Sequence, residues 1–275
     1  MDVLYGQHPV EEAVRSGARR LDSVIIARER SDARLQRLTQ LCRDAGVPVT
    51  LESRDQLTRL ARTDAHQGVL ALVRERAFLS IEDLLSCHSI SNKTERINEP
   101  AKPRHRFFLA LDGIEDPHNL GALLRSADGA GVDGVVLPER RSAPVSATVA
   151  KTSAGASEHV RIARVTNLVR ALEQMKHANI WVLGLDERGT PDYTDYDFRT
   201  DCVLVLGREG EGLHDLVKKT CDHLLRIPMA GAVSSLNVSV AGAVVMYEAM
   251  RQRRRPAPPS PKPAAPPKPR KGLGS

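Results

Sequence analysis

Residues 111–138, "LDGIEDPHNLGALLRSADGAGVDGVVLP", decide how this chain is read. Gly129, Gly131 and Gly134 stand in the spacing GxGxxG. In a dinucleotide site that spacing follows a strand and opens a helix, so that the glycines turn tightly and helix amides meet a pyrophosphate. Here the order is reversed. The strand-like run "RFFLALD" ends at Asp112, a helix-like run covers Asn119 to Asp128, and the glycines come after it. At that place they read as a helix C-cap with positive φ. The unusual residues lie earlier: Asn119, Gly121 and Arg125 surround the start of a helix directly after a buried strand, where open α/β sheets carry their chemistry.

Outward from this stretch the same alternation continues. "GVVLP", "VRIAR", "IWVLGLD", "CVLVLG" and "LLRIP" read as further strands, with helical stretches near 119–128, 145–154, 166–177, 212–220 and 235–250. The expected architecture is α/β, a largely parallel sheet with helices on both faces. Two more strand-to-helix junctions stand out. "LGREGEGL" packs Gly207, Gly210 and Gly212 around Arg208, Glu209 and Glu211; "IPMAGAVSSLNVSVAGAVV" sets Ser234, Ser235 and Asn237 before an apolar helix. Either serine is also a candidate helix cap. Together the loops offer backbone donors and acceptors with apolar walls, which suits adenine.

Upstream, a helix from Pro9 to Ser16, a strand "LDSVIIAR", a helix "DARLQRLTQLCRDAG", the segment "VPVTLES" as a second strand, a helix over Arg54–Ala61 and "QGVLALVR" as a third strand make a small α/β unit without a catalytic cluster. Binding or assembly is the expected role of this unit. His8 and His66 are loop histidines that either face RNA or substrate or serve no chemical role. The expected division is 1–76, a connector over 77–105 with a short helix near Ile81 to Ser86, 106–253, and a tail over 254–275. The net charge is +6, yet residues 1–250 hold 32 basic against 34 acidic groups. The eight Lys and Arg from Arg251 onward, with eight prolines and no acid, supply the basic character and an extended, nonspecific hold on an anionic polymer at most. No apolar run is long enough to span a membrane and the N-terminus is not signal-like, so the cytoplasm is expected. Cys42, Cys87, Cys202 and Cys221 lack metal-ligand spacing and read as free thiols.

The three segments "DPHNLGALLRSADGAG", "LVLGREGEGL" and "IPMAGAVSSLNVSVAGAVVMYE", with "HPVEEAV" and "QGVLALV" upstream, resemble the SpoU/TrmH-family (SPOUT superfamily) RNA 2'-O-ribose methyltransferases over residues 2 to about 253. The resemblance implies S-adenosylmethionine as methyl donor, a trefoil-knotted catalytic domain, a ribosomal-protein-like N-terminal RNA-binding domain and a homodimer. It implies transfer to the 2'-hydroxyl of a guanosine in 23S rRNA, in the peptidyl-transferase-centre loop, on free rRNA or a ribosome-assembly intermediate. A tRNA or another rRNA nucleotide as substrate, and a catalytically idle rRNA-binding factor, are the alternatives. By the same resemblance Gly207, Ile227 and Leu236 contact the donor, while Asn119, Arg125, Glu209, Ser235 and Asn237 form or support the active centre. No metal is required. An arginine with a pKa above roughly 12 is a demanding base at neutral pH, and holding phosphate or developing negative charge suits Arg125 better.

Overall fold

The computed structural model describes residues 2–30, 32–86 and 105–254. Four short strands open the chain: Asp2–Tyr5 (β1), Leu21–Ala27 (β2), Val49–Glu52 (β3) and Val69–Val73 (β4), in the order β1-β4-β2-β3. Only β2 and β3 pair in parallel. Successive side chains of a strand point to opposite faces. Val24 and Ile26 therefore pack with Gln7–Ser16 (α1) and Ala33–Asp44 (α2), through Val10, Ala13, Leu35 and Leu38. Ile25 faces the other way, towards Tyr5, Leu70 and Leu57 of Arg54–Ala61 (α3). β1 was not among the expected strands, because four residues with two buried are too few for an alternating pattern to stand out.

The second sheet has six strands, all parallel: Phe107–Leu111 (β5), Gly134–Pro138 (β6), Ile162–Val165 (β7), Trp181–Leu185 (β8), Cys202–Leu206 (β9) and His223–Leu225 (β10), in the order β10-β8-β9-β5-β6-β7. Every residue of β5 and β9 is buried. Such continuous apolar runs are what a parallel sheet covered on both faces demands. Phe107, Leu109 and Leu111 meet Pro117–Ala130 (α5) and Val238–Arg254 (α9). Phe108 and Ala110 meet Ile81–Ser86 (α4), Leu168–His177 (α7) and Asp215–Thr220 (α8). The carboxyl ends of β5 and β9 lie side by side, Leu111 opposite Leu206. From this pair the chain leaves β5 for β6 and β7 on one side and leaves β9 for β10 on the other. That is the switch point at which α/β sheets leave a crevice for ligands.

The remaining helix, Ala147–Thr152 (α6), joins the two sheets. Its Ala150 belongs to the first core, and Lys151 Nζ donates to the carbonyl of Ala65 at 2.9 Å. Below it, the fully buried carboxylate of Glu158 faces Arg19 Nε at 3.0 Å and Arg76 Nη1 at 3.9 Å. Arg76 also donates to the carbonyls of Ser157 and Val160. Burial lowers the Arg76 pKa, opposed by the Glu158 charge. Residues 87–104 of the expected connector, Cys87, and residues 255–275 of the expected tail lie outside the described residues. Cys42, Cys202 and Cys221 are free thiols. No helix among the described residues is long and apolar enough to cross a membrane.

The two histidines expected in loops differ, and His8 lies in the first turn of α1 instead. His8 is exposed and meets Arg34, its Nε2 2.6 Å from Nη2. His66 is fully buried: Nδ1 accepts from the Gly68 amide at 3.0 Å and Nε2 lies 3.1 Å from Thr58 Oγ1. It is a structural histidine, which neither of its expected readings described.

Candidate active site

Two of the three singled-out loops leave the carboxyl ends of β5 and β9 at the switch point, and the third leaves β10 at the sheet edge. After β5, Asp116 caps α5: its carboxylate accepts from the amides of His118 at 3.0 Å and Asn119 at 3.3 Å, with Pro117 filling the first turn. Because Asp116 does the capping, the Asn119 side chain is spared for other bonds. After β9, Arg208 and Gly212 exchange both backbone hydrogen bonds, at 3.0 and 2.9 Å, and the turn they close presents Glu209 to solvent. After β10, residues 230–237 form an exposed, irregular stretch with bends at 231, 232 and 234, up to Asn237, whose Oδ1 accepts from the Ser239 amide at 2.9 Å and starts α9. The cap is thus Asn237 and neither of the preceding serines.

Three of these side chains converge. Asn119 Nδ2 donates to Glu209 Oε2 at 3.2 Å, and Asn237 Nδ2 donates to both Asn119 Oδ1 and Glu209 Oε1 at 3.1 Å. The carboxylate, acceptor-only when ionised, takes one amide on each oxygen. The orientation of both amides follows, since each oxygen already accepts and each nitrogen already donates. Residues 90 and 118 positions apart in the chain are thereby locked into one polar cluster at the mouth of the crevice.

The other expected residues do not join that cluster. Arg125 lies six residues beyond Asn119, about 9 Å further along the axis and roughly a third of a turn away. It is exposed and makes no hydrogen bond or ion pair among the described residues. Glu209 therefore holds the two asparagines and not Arg125. Gly207 follows β9 and is buried, and a Cβ there would run into the Gly212 backbone. Ile227 packs half-buried on the core below the third loop. Ser235 and Leu236 are exposed on it.

Those surroundings fit the expected donor. Among the described residues, positions 228–236 make no backbone hydrogen bond, so their amides and carbonyls stand free beside Leu236 and Val233, large apolar side chains left 36% and 65% exposed. A purine with its ribose needs that pairing of backbone polar groups and apolar cover. No cluster of three or more His, Cys, Asp or Glu suited to a metal occurs among the described residues.

Sequence reasoning passed over Asp112, Arg208 and His214. Asp112 is buried at the end of β5 and holds His214, which in turn meets Arg208. The only signal was a carboxylate at the end of an apolar strand; its partner stands 102 positions away.

Comparison with known proteins agrees with this geometry. The SpoU rRNA Methylase family profile matches residues 106–247, and the profile described as RNA 2'-O ribose methyltransferase substrate binding matches residues 3–79. The chain is 40% identical to the 23S rRNA (guanosine-2'-O-)-methyltransferase RlmB of Escherichia coli K12 over 254 residues, 92% of this chain and 99% of that protein. It is equally similar, 40% over 252 residues, to the protein of the same name from Ralstonia nicotianae, covering 91% of this chain and 96% of that one. Among solved structures it resembles the SpoU methyltransferase AviRb of Streptomyces viridochromogenes in complex with AdoMet. The TM-score is 0.72 at 25% identity, with 91% of this chain and 90% of that chain covered.

Proposed function

The chain belongs to the SpoU rRNA methylase family, and from that premise we propose that it transfers a methyl group from S-adenosylmethionine to the 2'-hydroxyl of a guanosine in the peptidyl-transferase-centre loop of 23S rRNA. The observation that carries the assignment is the Asn119–Glu209–Asn237 cluster, which ties all three loops together at the mouth of the crevice. The choice of RNA and nucleotide follows the names of the 40% identical relatives.

S-adenosylmethionine supplies a sulfonium methyl that is already activated for transfer. What the protein adds is alignment. Gly207, Ile227 and Leu236, with the free backbone groups of 228–236, hold the adenosine side. Asn119 and Asn237, fixed by Glu209, orient the ribose, and Ser235 orders the loop between them. Arg125 is exposed on α5 with its five donors uncommitted, so it suits a phosphate or the oxygen on which negative charge grows. Residues 2–76 bind the RNA and residues 106–253 carry the reaction.

The proposal extends to the trefoil-knotted crossing and the homodimer. Residues 190–193 cling to 224–226, with Tyr193 N donating to Arg226 O at 2.9 Å and a bridge between Thr190 and Leu224. This close passage of two segments supports a chain crossing there. For the dimer the support is Val240 and Tyr247 of α9, 49% and 46% exposed and seven residues apart on one face.

The test is to incubate unmodified 23S rRNA with labelled S-adenosylmethionine, digest it and locate the product by mass spectrometry. 2'-O-methylguanosine in the peptidyl-transferase-centre loop is expected. Methylation of a base would reject the reaction class, and a different ribose would reject the substrate.

A further inference from the structure

We propose that Arg208 and His214 are positioning residues for Glu209, forming a strut from the end of β5 to the turn that carries this carboxylate; the inference rests on the assignment of Asn119, Glu209 and Asn237 to the reaction. Asp112 is the buried anchor. Its Oδ2 accepts from the His214 amide and its Oδ1 from His214 Nδ1, both at 2.8 Å. With Nδ1–H committed to a carboxylate, the neutral imidazole presents Nε2 as an acceptor. Arg208 Nη2 meets it at 3.0 Å. The same Nη2 lies 2.8 Å from Glu211 Oε2, on the far side of the turn.

The guanidinium is therefore held at one end by a buried carboxylate acting through His214, and at the other by the turn itself. Its stem is clamped as well. A Cβ on Gly113 would stand 2.6 Å from Arg208 Cγ, and Arg208 Nε is buried without a hydrogen-bond partner. Burying a polar N–H without a partner is unfavourable, and an arginine serving only as a surface contact for RNA would not need to. Without the strut, a five-residue turn containing two glycines with positive φ, Gly210 and Gly212, would let Glu209 sample many positions. With it, the turn is fixed to β5, and so is the carboxylate on which both asparagines depend. The donor side, bounded by the buried backbone of Gly207 directly after β9, does not rely on it.

R208M keeps the stem on Gly113 and removes the guanidinium donors. H214N keeps an amide near the Nδ1 position for Asp112 and removes the acceptor for Arg208. Both variants, the double variant and E209A are measured in the full chain for kcat, KM for rRNA, and donor affinity by calorimetry. Each strut variant should lose roughly tenfold or more in kcat, as misplacement of an aligned group does. Donor Kd and RNA KM should stay within about twofold, and the double variant should be no worse than the worse single, because both break one path. Losses that multiply in the double variant, wild-type kcat in R208M, or a raised RNA KM at unchanged kcat would each overturn the strut. If H214N does not fold, R208M alone decides between these outcomes. Full turnover in E209A would sink the site assignment itself; an inactive E209A beside a fully active R208M removes only the strut.

Discussion

Asn237 does two jobs with one amide: its oxygen starts α9 through the Ser239 amide, and its nitrogen holds Asn119 and Glu209. N237D would keep the cap and replace the donor by a second carboxylate about 3 Å from Glu209, where like charges repel. Turnover should fall roughly 100-fold, as for other misaligned groups, while a melting curve stays near wild type. A melting temperature that falls with activity would show that the cap matters more. Arg125 makes a complementary case: R125A should lose most turnover yet bind S-adenosylmethionine normally in calorimetry, because no hydrogen bond or ion pair ties its guanidinium to the residues assigned to the donor. His66 predicts a pH effect. Burial, then the charge of Arg54, lowers its pKa below the ordinary histidine value. The folded state thus binds its proton less readily than the unfolded one. Its contribution is fully present above the unfolded pKa, near 6.5, and is lost as pH falls below that value. Urea titrations between pH 7.5 and 5 should show stability declining in the wild type, with a shallower slope in H66Q. At this scale the long motifs brought forward Asn119, Glu209 and Asn237, which the fold joins, together with Arg125 and Ser235, which it leaves outside that cluster. The sequence was not legible where a role depends on a distant partner, as for Asp112 with His214, or on burial, as for His66.

Elements were legible in proportion to the length of their apolar pattern. β5 and β9 are continuous buried runs, and the sequence read them as strands within a residue or two of their bounds. The misplaced starts have local causes. α8 begins at Asp215 and not near 212, because Arg208 and Gly212 pair with each other and close a turn first. α9 begins at Val238 and not near 235, because Asn237 takes the cap. The packing of α9 on α5 depends on one small residue: a Cβ on Gly242 would stand 2.6 Å from both Leu123 Cδ2 and Leu206 Cδ1. G242V should therefore destabilise the protein by about 1–3 kcal/mol through overpacking. Chemical denaturation measures this directly, and an unchanged midpoint would mean that α9 can shift without loss.

Besides α6, the buried Glu158 between Arg19 and Arg76 ties the two sheets together. E158A would remove the buried carboxylate and, among the described residues, leave Arg19 with only Asp2 at 3.4 Å and Arg76 with only the carbonyls of Ser157 and Val160, at a cost of about 3–5 kcal/mol for a broken buried pair. Calorimetric melting should then split, with the first sheet loosening before the second; one cooperative transition at the wild-type temperature would refute this. On the outer face of α9, V240E and Y247E should convert a dimer to monomers in sedimentation experiments while leaving the fold intact. Wild-type protein that sediments as a monomer would dispose of the dimer.

The bonds that assemble the site join Asn119 to Glu209, Asn119 to Asn237, and Asp112 to His214, across 90, 118 and 102 positions of chain. Contacts of such separation form late, since the intervening chain must be ordered before they can close. During refolding, far-ultraviolet dichroism should therefore recover while the protein is still inert. Catalytic competence should return only in the last kinetic phase, and with it the resistance of the 208–237 region to proteases.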